Sequence, residues 1–473
     1  MKAPRHHLEA FARDEHGGVI ILAAVSMAVM LGMAALVFDM GRLATTQTEL
    51  QSFADNVALA AAGELDGEPD AIARANAATG SLVEGGQTFA EGAQALTGAV
   101  DATVVYLSGL PANDRDPVTG FVTTDPADAI YAHVTIRPRQ VHLPFARAFA
   151  ALTGNTPVGE DVGAEAVAGF TRYACDITPM MLCVPPGFEA SAARGTMIRL
   201  RAGQGGTSWG PGNFGFLNPS TGLQADPAGP CAGVNGQPLE ACLLAAARLR
   251  SQCFVQRGVD TSPGQSQGNM AAGLNVRFDL YSGTMNNRRS DPDFGPAPNV
   301  MDGNTVGGNC RAEDSPISIG LPRDACLDAG TCAPDVRIGD GVFSMSDYIA
   351  TNYGGTAPAW LPAAPATRYE VYLAEIANAA EARALLSEPA DFEASCGRPS
   401  ADPERRVIIA AGIDCTANPV AGNARNVPVK EFVRLFLTEP GEPSTQDVFA
   451  EVLGSAEGQG EGGVIHDIVQ LYR

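Results

Sequence analysis

The stretch RDEHGGVIILAAVSMAVMLGMAALVFDMGR, residues 13–42, decides how the N-terminal part of this 473-residue chain folds. A charged cluster precedes an uncharged apolar run over residues 17–38, and Asp39 ends the run. As a helix the run would be about 33 Å long, enough to span a hydrocarbon core of roughly 30 Å. The sequence therefore predicts a cytoplasmic tail over residues 1–16 and one transmembrane helix over residues 17–38.

The apolar run has three other interpretations, and each fits the sequence less well. A cleavable secretory signal has an apolar core of only ~7 to 15 residues. A prepilin-type leader is cut after a glycine, and its substrates usually carry Glu near the start of the mature chain, where Leu22 or Ala23 stands here. A buried core helix is disfavoured, because the run is a fully apolar 22-residue stretch at the extreme N-terminus. We therefore expect a permanent anchor that is not processed.

The basic residues near the run predict its orientation. Lys2, Arg5 and Arg13 precede it, and Arg42 follows it. By the positive-inside bias, the N-terminus stays in the cytoplasm and the bulk of the chain is exported. We expect a single-pass protein of the bacterial inner (cytoplasmic) membrane whose main part is periplasmic.

A helical pattern continues after the run in RLATTQTELQSFADNVALAAAGEL, residues 42–65. Its apolar stripe combines two series with heptad spacing, Leu43, Leu50, Val57 and Thr46, Phe53, Ala60. The stripe is short and rich in alanine, which favours packing on its own domain over a free coiled coil. Together the two segments predict one continuous helix of roughly 45 residues, the shape of a type IV pilin-like stalk.

Three segments of this region together resemble a known family. RDEHGGVIILAA, FDMGRL and LQSFADNVALAAAGEL have the order and spacing found in the TadE-like and TadG-like proteins of the Tad (tight adherence) Flp pilus assembly system. The matching motif positions are Arg13, Asp14, Glu15, Gly17, Asp39, Gly41, Arg42, Ala54 and Asp55. The resemblance implies a role in pilus assembly, with the inner membrane, the membrane platform and pilin-like proteins as partners.

Some TadG-like proteins also carry a von Willebrand A domain, whose D-x-S-x-S loop binds a divalent ion. The nearest string here is DLYSG, residues 279–283, which has tyrosine in place of the first serine. We therefore expect the chain to lack that domain and its metal site.

The region after the long helix predicts two further parts. DATVVYL, AIYAHVTIRPRQVHL and EDVGAEAVAGF have the composition and alternation of three strands. A long helix packed on an antiparallel sheet is an α+β fold and would make residues 39–170 a pilin-like TadE/TadG-type module. From Tyr173 the composition shifts to Cys, Gly, Pro and Asn, so residues 171–473 are expected to form a Cys-rich, loop-rich, mainly β domain.

All ten cysteines lie in this last part: Cys175, Cys183, Cys231, Cys242, Cys253, Cys310, Cys326, Cys332, Cys396 and Cys415. An even number confined to an exported region predicts disulfides. Zinc sites favour close pairs such as CxxC, and the shortest spacing here separates Cys326 from Cys332. Reduced thiols are the remaining alternative, and the sequence does not give the pairing.

Other features point away from chemistry and from nucleic acid. The net charge of −22 disfavours a nucleic-acid partner, which would select basic patches. The six histidines are scattered, and no hydrolase, zincin or P-loop motif is present. GQGG at residues 203–206 is interpreted as a flexible loop. The carboxylates of residues 291–304 are interpreted as part of a polar surface loop, because Pro and Phe interrupt the spacing of a calcium cage.

These observations favour a structural protein that acts by contact in the periplasm over an enzyme. We assign no catalytic, cofactor-binding or metal-binding residue and expect no cofactor. Two alternatives stay open, an anchored periplasmic enzyme acting on cell-wall material and a surface adhesin or sensor.

Overall fold

The computed structural model describes residues 18–113, 115–154, 160–175, 177–203, 208–218, 228–247, 253–256, 258–262, 267–333, 337–364, 366–441, 447–456 and 465–472. The chain divides into two compact units. The first unit is Met1–Thr171 with Ile468–Arg473, and the second is Arg172–Asp467.

Helix α1, Gly18–Ala62, is 45 residues long, so the prediction of one long N-terminal apolar helix is confirmed. Ala, Leu and Met, which are strong helix formers, make up 21 of its 45 residues. By length and composition it could cross a membrane, with a mean hydropathy of 2.6 over its most apolar window. Its first half exposes apolar side chains such as Ile20 and Leu22, whereas Leu50 in its second half is fully buried.

The first unit packs α1 against an antiparallel sheet. Its other elements are helix α2 (Ala71–Leu82), short strands β1 (Glu84–Gly86) and β2 (Ala95–Thr97), helix α3 (Gly98–Asp101), strands β3 (Ala102–Leu107) and β4 (Tyr131–Val141), helix α4 (Pro144–Thr153) and strand β5 (Glu160–Cys175). A 3-10 turn covers Val118–Phe121. Strands β3, β4 and β5 match the three predicted strands and pair in that order, with Val134 opposite both Val104 and Ala166.

The core of the first unit forms where α1 meets the sheet. Buried side chains recur along α1 at the spacing of one helical face: Leu50, Phe53, Ala54, Val57, Ala58 and Ala61. They pack with Ala132, Val134 and Ala166 of the sheet. The many alanines allow the helix and sheet backbones to approach closely, and the predicted stripe is therefore a core-facing stripe.

The second unit is mainly β. Its strands are β6 (Met180–Val184), β7 (Met197–Ala202), β8 (Asn213–Asn218), β9 (Cys253–Val255), β10 (Val259–Ser262), β11 (Asn304–Val306), β12 (Ala312–Asp314), β13 (Val407–Asp414), β14 (Ala424–Val427), β15 (Glu431–Leu437) and β16 (Asp447–Ser455). Strand β17 (Ile465–Leu471), the last described strand, pairs with β5. Its helices are α5 (Gln237–Ala245), α6 (Gln267–Asn275), α7 (Ala325–Ala329), α8 (Ser346–Asn352), α9 (Arg368–Ala377), α10 (Ala379–Leu385) and α11 (Pro389–Phe392), with 3-10 turns at Val276–Phe278, Gly283–Arg288, Pro292–Phe294 and Pro403–Arg406.

Six of these strands close into a barrel. The order is β8, β6, β13, β15, β16, β7, and β7 pairs back onto β8 in parallel. Strands β10 and β14 extend the sheet beyond β8. Alternate residues of all six strands fill the interior, among them Leu182, Phe214 and Leu435. Closure removes the free edges that the six strands would otherwise expose.

Five disulfides join the ten cysteines, and all lie in the second unit. The pairs are Cys175–Cys253, Cys183–Cys415, Cys231–Cys242, Cys310–Cys396 and Cys326–Cys332. No cysteine is free, so the disulfide prediction is confirmed. Their sequence separations range from 6 residues for Cys326–Cys332 to 232 for Cys183–Cys415.

One sequence-based expectation is wrong. Residues 291–304 do not form a polar surface loop, since Phe294, Ala297, Asn299 and Val300 are buried. The reason is long-range: the Asn299 amide donates to Glu375 (2.8 Å), a carboxylate that lies far away in the sequence. Local polarity does not reveal such a partner.

Candidate functional site

The first candidate site lies where α1 leaves its apolar run, at Asp39. The Asp39 carboxylate is nearly buried, with 6 % exposure, and accepts hydrogen bonds from the backbone N–H groups of Phe145 (3.4 Å) and Ala146 (2.7 Å). These groups belong to the first turn of α4, whose own N-cap, Leu143, provides no side-chain cap. Asp39 therefore caps α4 from a distant part of the chain and places negative charge at its positive end.

Arg42 makes a second clamp one turn further along α1. Its guanidinium lies over the rings of Phe38 (5.0 Å) and Phe89 (4.9 Å). The same group donates to the carbonyl oxygen of His142 at 3.3 Å. Asp39 and Arg42 of the FDMGRL segment thus hold both the start of α4 and the chain that leads into it. For Gly41 we find no structural requirement, because an added Cβ would meet no atom within 4 Å.

The other motif residues place α1 on the sheet. Ala54 is fully buried, and the Asp55 carboxylate accepts a hydrogen bond from the Gln51 amide (2.8 Å). Gln51 also donates to the Glu165 carbonyl oxygen of β5 at 2.8 Å. Asp55 therefore orients the glutamine that links the helix to the strand. The remaining motif residues, Arg13, Asp14, Glu15 and Gly17, lie outside the described residues, as does most of the 203–206 loop.

Glu375, a buried carboxylate of the second unit, was not identified from the sequence. It accepts hydrogen bonds from the hydroxyls of Tyr348 (2.6 Å) and Tyr353 (2.8 Å) and from Asn299. Burial raises the pKa of Glu375 to about 7, although these donors oppose the shift. A side chain that is only 1 % exposed cannot meet a substrate, so this cluster holds the fold together.

A second buried carboxylate, Asp391, binds the backbone at Asp302 and Gly303. It accepts from the backbone N–H groups of Asp302 (3.1 Å) and Gly303 (3.0 Å) and from the Ser318 hydroxyl. Burial, together with the charge of Asp391, raises the pKa of Asp302 to about 7. Two carboxyl groups share this environment, yet Asp391 is itself closed to solvent.

Four arginines of the second unit are also buried, among them Arg368 and Arg406. Arg368 pairs with Asp324 and with Glu451 (3.2 Å), and all three side chains are fully buried. Arg406 donates to four backbone carbonyl oxygens and stacks on aromatic rings, including Phe436 at 4.9 Å. Neither arginine faces an opening, so neither offers an anion site.

Asp279 begins DLYSG, the string most similar to the metal-binding loop of a von Willebrand A domain. Its contacts are structural. Its carboxylate accepts from the backbone N–H groups of Ser395 (2.6 Å), Cys396 (2.7 Å) and Gly397 (2.6 Å). Its backbone adopts the left-handed conformation, with φ of 65°. Burial raises the pKa of Asp279, although the three donors favour its charged form. Across the described ranges, no group of three or more potential ligands could hold a metal ion.

An apolar cavity of about 900 Å³ lies in the second unit. Among the described residues, its lining includes Val342, Phe343, Met345, Ile349, Leu361 and Val371, and no titratable side chain. An apolar lining of this kind favours an apolar ligand group or side chain.

Comparisons with known proteins bear on the first unit alone. No curated protein and no solved structure matches the chain. Residues 17–64 match a family model described as putative Flp pilus-assembly TadE/G-like. This segment covers α1 and contains Asp39, Gly41, Arg42, Ala54 and Asp55, so the predicted resemblance of the N-terminal segment to TadE/G-like Flp pilus-assembly proteins is confirmed.

Proposed function

We propose that this protein is a membrane-anchored component of Tad (Flp) pilus assembly that acts by protein–protein contact in the periplasm and not as an enzyme. The observation that carries the proposal is the family match over residues 17–64. The contacts of Asp39 and Arg42 support it, because two of the motif residues hold other parts of the first unit against α1.

The surface of α1 supports anchoring. Val19 through Phe38 carry exposed apolar side chains over a length of about 30 Å, and a soluble unit would not leave such a surface in water. We place this segment in the inner membrane, with the N-terminus in the cytoplasm and the apolar segment not removed by processing. The second half of α1 then acts as a pilin-like stalk in the periplasm, packed on its sheet.

Partners would be other Tad pilus components, namely the membrane platform and pilin-like proteins. The exposed segment of α1 offers a helix-packing surface within the bilayer. The apolar cavity at Phe343 offers a second contact surface in the periplasm. The disulfides support a periplasmic location, since that compartment permits them.

Deleting the gene in the source bacterium and counting surface pili by electron microscopy tests the proposal. We expect loss of pili and of adherence, restored by the wild-type gene but not by one lacking the codons for residues 19–38. A β-lactamase fused to the C-terminus should confer resistance only if that end is periplasmic. Normal piliation in the deletion strain would contradict the proposal and favour a cell-wall enzyme, a sensor or an adhesin.

A further inference from the structure

Helix α4 carries an apolar stripe that is largely exposed among the described residues. Phe145, Phe149 and Leu152 are 46 %, 67 % and 87 % exposed. With the exposed Ala148 they occupy positions i, i+4, i+7 and i+3 of one helical face. The opposite side is satisfied, because Ala150 is buried and Arg147 pairs with Glu91 at 3.1 Å. A two-turn stripe of this kind marks a binding surface.

The contacts of α1 fix the location of this stripe. Asp39 binds Ala146 at the start of α4, whereas Gln47 and Gln51, further along α1, bind the carbonyl oxygens of Gly163 and Glu165 in β5. The partners of α1 thus move from α4 into the sheet as α1 leaves its apolar run. Because Asp39 is the first charged residue after that run, the first turn of α4 lies level with its end.

The two apolar surfaces are also in direct contact. Phe38, the last residue of the apolar run, packs edge-on against Phe145, the first residue of the stripe, with ring centroids 5.4 Å apart. The exposed apolar surface of α1 therefore meets that of α4 at this ring contact.

We propose that α4 is a membrane-surface helix, with Phe145, Ala148, Phe149 and Leu152 inserted into the periplasmic leaflet of the bilayer that α1 crosses. This inference rests on the anchoring proposed above. Interfacial helices present Phe and Leu to the acyl boundary in this way. The chain's net charge of −22 gives no electrostatic attraction to anionic lipids, so the apolar stripe supplies the attraction.

The position of Asp39 fits this location. Backbone N–H groups at the first turn of a helix have no partner within the helix, and near lipid an unsatisfied N–H group is costly. The Asp39 carboxylate satisfies two of them, at Phe145 and Ala146. Two attachments, α1 through the bilayer and α4 on its surface, would restrict how the first unit tilts relative to the membrane.

Spin-label accessibility in the full chain tests the inference. All ten native cysteines are paired, so Phe149→Cys adds a single reactive thiol. The labelled protein is reconstituted in vesicles of phosphatidylethanolamine and phosphatidylglycerol. Val122→Cys is the matched control, because Val122 is 49 % exposed and bridges Leu107 at the opposite end of β4 from α4. Val29→Cys reports on the anchor itself.

We expect the label at residue 149 to lose collisions with a water-soluble nickel complex and to gain collisions with oxygen, as at residue 29. The label at residue 122 should stay accessible to nickel. Nickel access at 149 with lipid exposure at 29 overturns the inference and leaves the anchor intact. Nickel access at 29 overturns both. Protection of 149 from both reagents means that protein, such as a second copy, covers the stripe, and this too overturns the inference.

Discussion

The two units of this protein are stabilised by different means. The first unit has no cysteine, and its core is a single long helix whose alanines lie against a sheet. Long-range hydrogen bonds from Asp39, Gln47 and Gln51 fix the helix in place. The second unit has a closed barrel, five disulfides and buried charged side chains. Long-range contacts occur in both units, but only the second adds barrel closure and covalent cross-links to them.

The contrast suits different tasks. Because α1 is one continuous helix, its apolar segment and the folded first unit are joined by a single rigid element. A disulfide-braced barrel with long loops keeps its form without a large helical core. The predictions below test whether the two units differ in this way, beginning with the largest expected effect. Both tryptophans, Trp209 and Trp360, lie in the second unit, so their fluorescence follows that unit alone.

Each disulfide should stabilise the second unit by an amount that grows with the logarithm of the loop length it closes. From loop entropy, losing Cys183–Cys415 through Cys183→Ala with Cys415→Ala costs roughly 5 kcal/mol, and losing Cys326–Cys332 through the matching pair of substitutions costs roughly 2 kcal/mol. Urea unfolding followed by tryptophan fluorescence measures both. Equal losses would show that loop length does not govern the stability of this unit.

Breaking the buried ion pairs should come next. Arg368→Met leaves Asp324 and Glu451 buried without their cation, and we expect a loss of about 3 to 5 kcal/mol. The control is Arg434→Met, whose partner Glu404 is partly exposed, with an expected change of about 0 to 1 kcal/mol. The same unfolding assay applies. A change in Arg368→Met no larger than in its control would refute the role of the buried charges.

The second unit should lose stability as the pH rises. Glu375 has an ordinary pKa of 4.5, and burial raises it to about 7 in the folded state. Between these values the folded state holds a proton that the unfolded state has released. The stabilising contribution is therefore full below about pH 4.5 and is lost toward pH 7, on the order of 3 kcal/mol. The raised pKa of Asp302 acts in the same direction.

Unfolding free energies measured at several values between pH 5 and pH 7.5 check this slope. Glu375→Gln keeps an acceptor for the two tyrosine hydroxyls but does not titrate. It should reduce the slope, and an unchanged slope would rule out Glu375 as its source.

The smallest effect should occur in the first unit. Asp39→Ala removes the cap of α4, which costs about 1 kcal/mol locally, and hydrogen exchange over residues 144–153 should become faster. Asp39→Asn keeps one acceptor oxygen and should retain more of the protection. Because α4 lies in the unit without cross-links, reducing agent should not change this exchange. Faster exchange after reduction would show that the stability of α4 depends on the disulfides.

The sequence by itself determined the elements that depend on local pattern. Apolar composition and the helical period gave α1 and its stripe through Leu50, Phe53 and Val57, and period-2 alternation gave β4. An even cysteine count in one region gave the disulfides as a class. These features follow from neighbours along the chain or from composition, so no long-range information is needed.

The tertiary structure alone decided how distant residues meet. Asp39 belongs to a recognisable motif, yet its work as the cap of α4 depends on a segment 107 residues away. The disulfide pairs, the closure of the barrel by β7 on β8, and the burial of residues 291–304 against Glu375 have the same origin. A buried carboxylate looks like any surface carboxylate in the sequence, because its burial depends on donors that other parts of the chain bring to it.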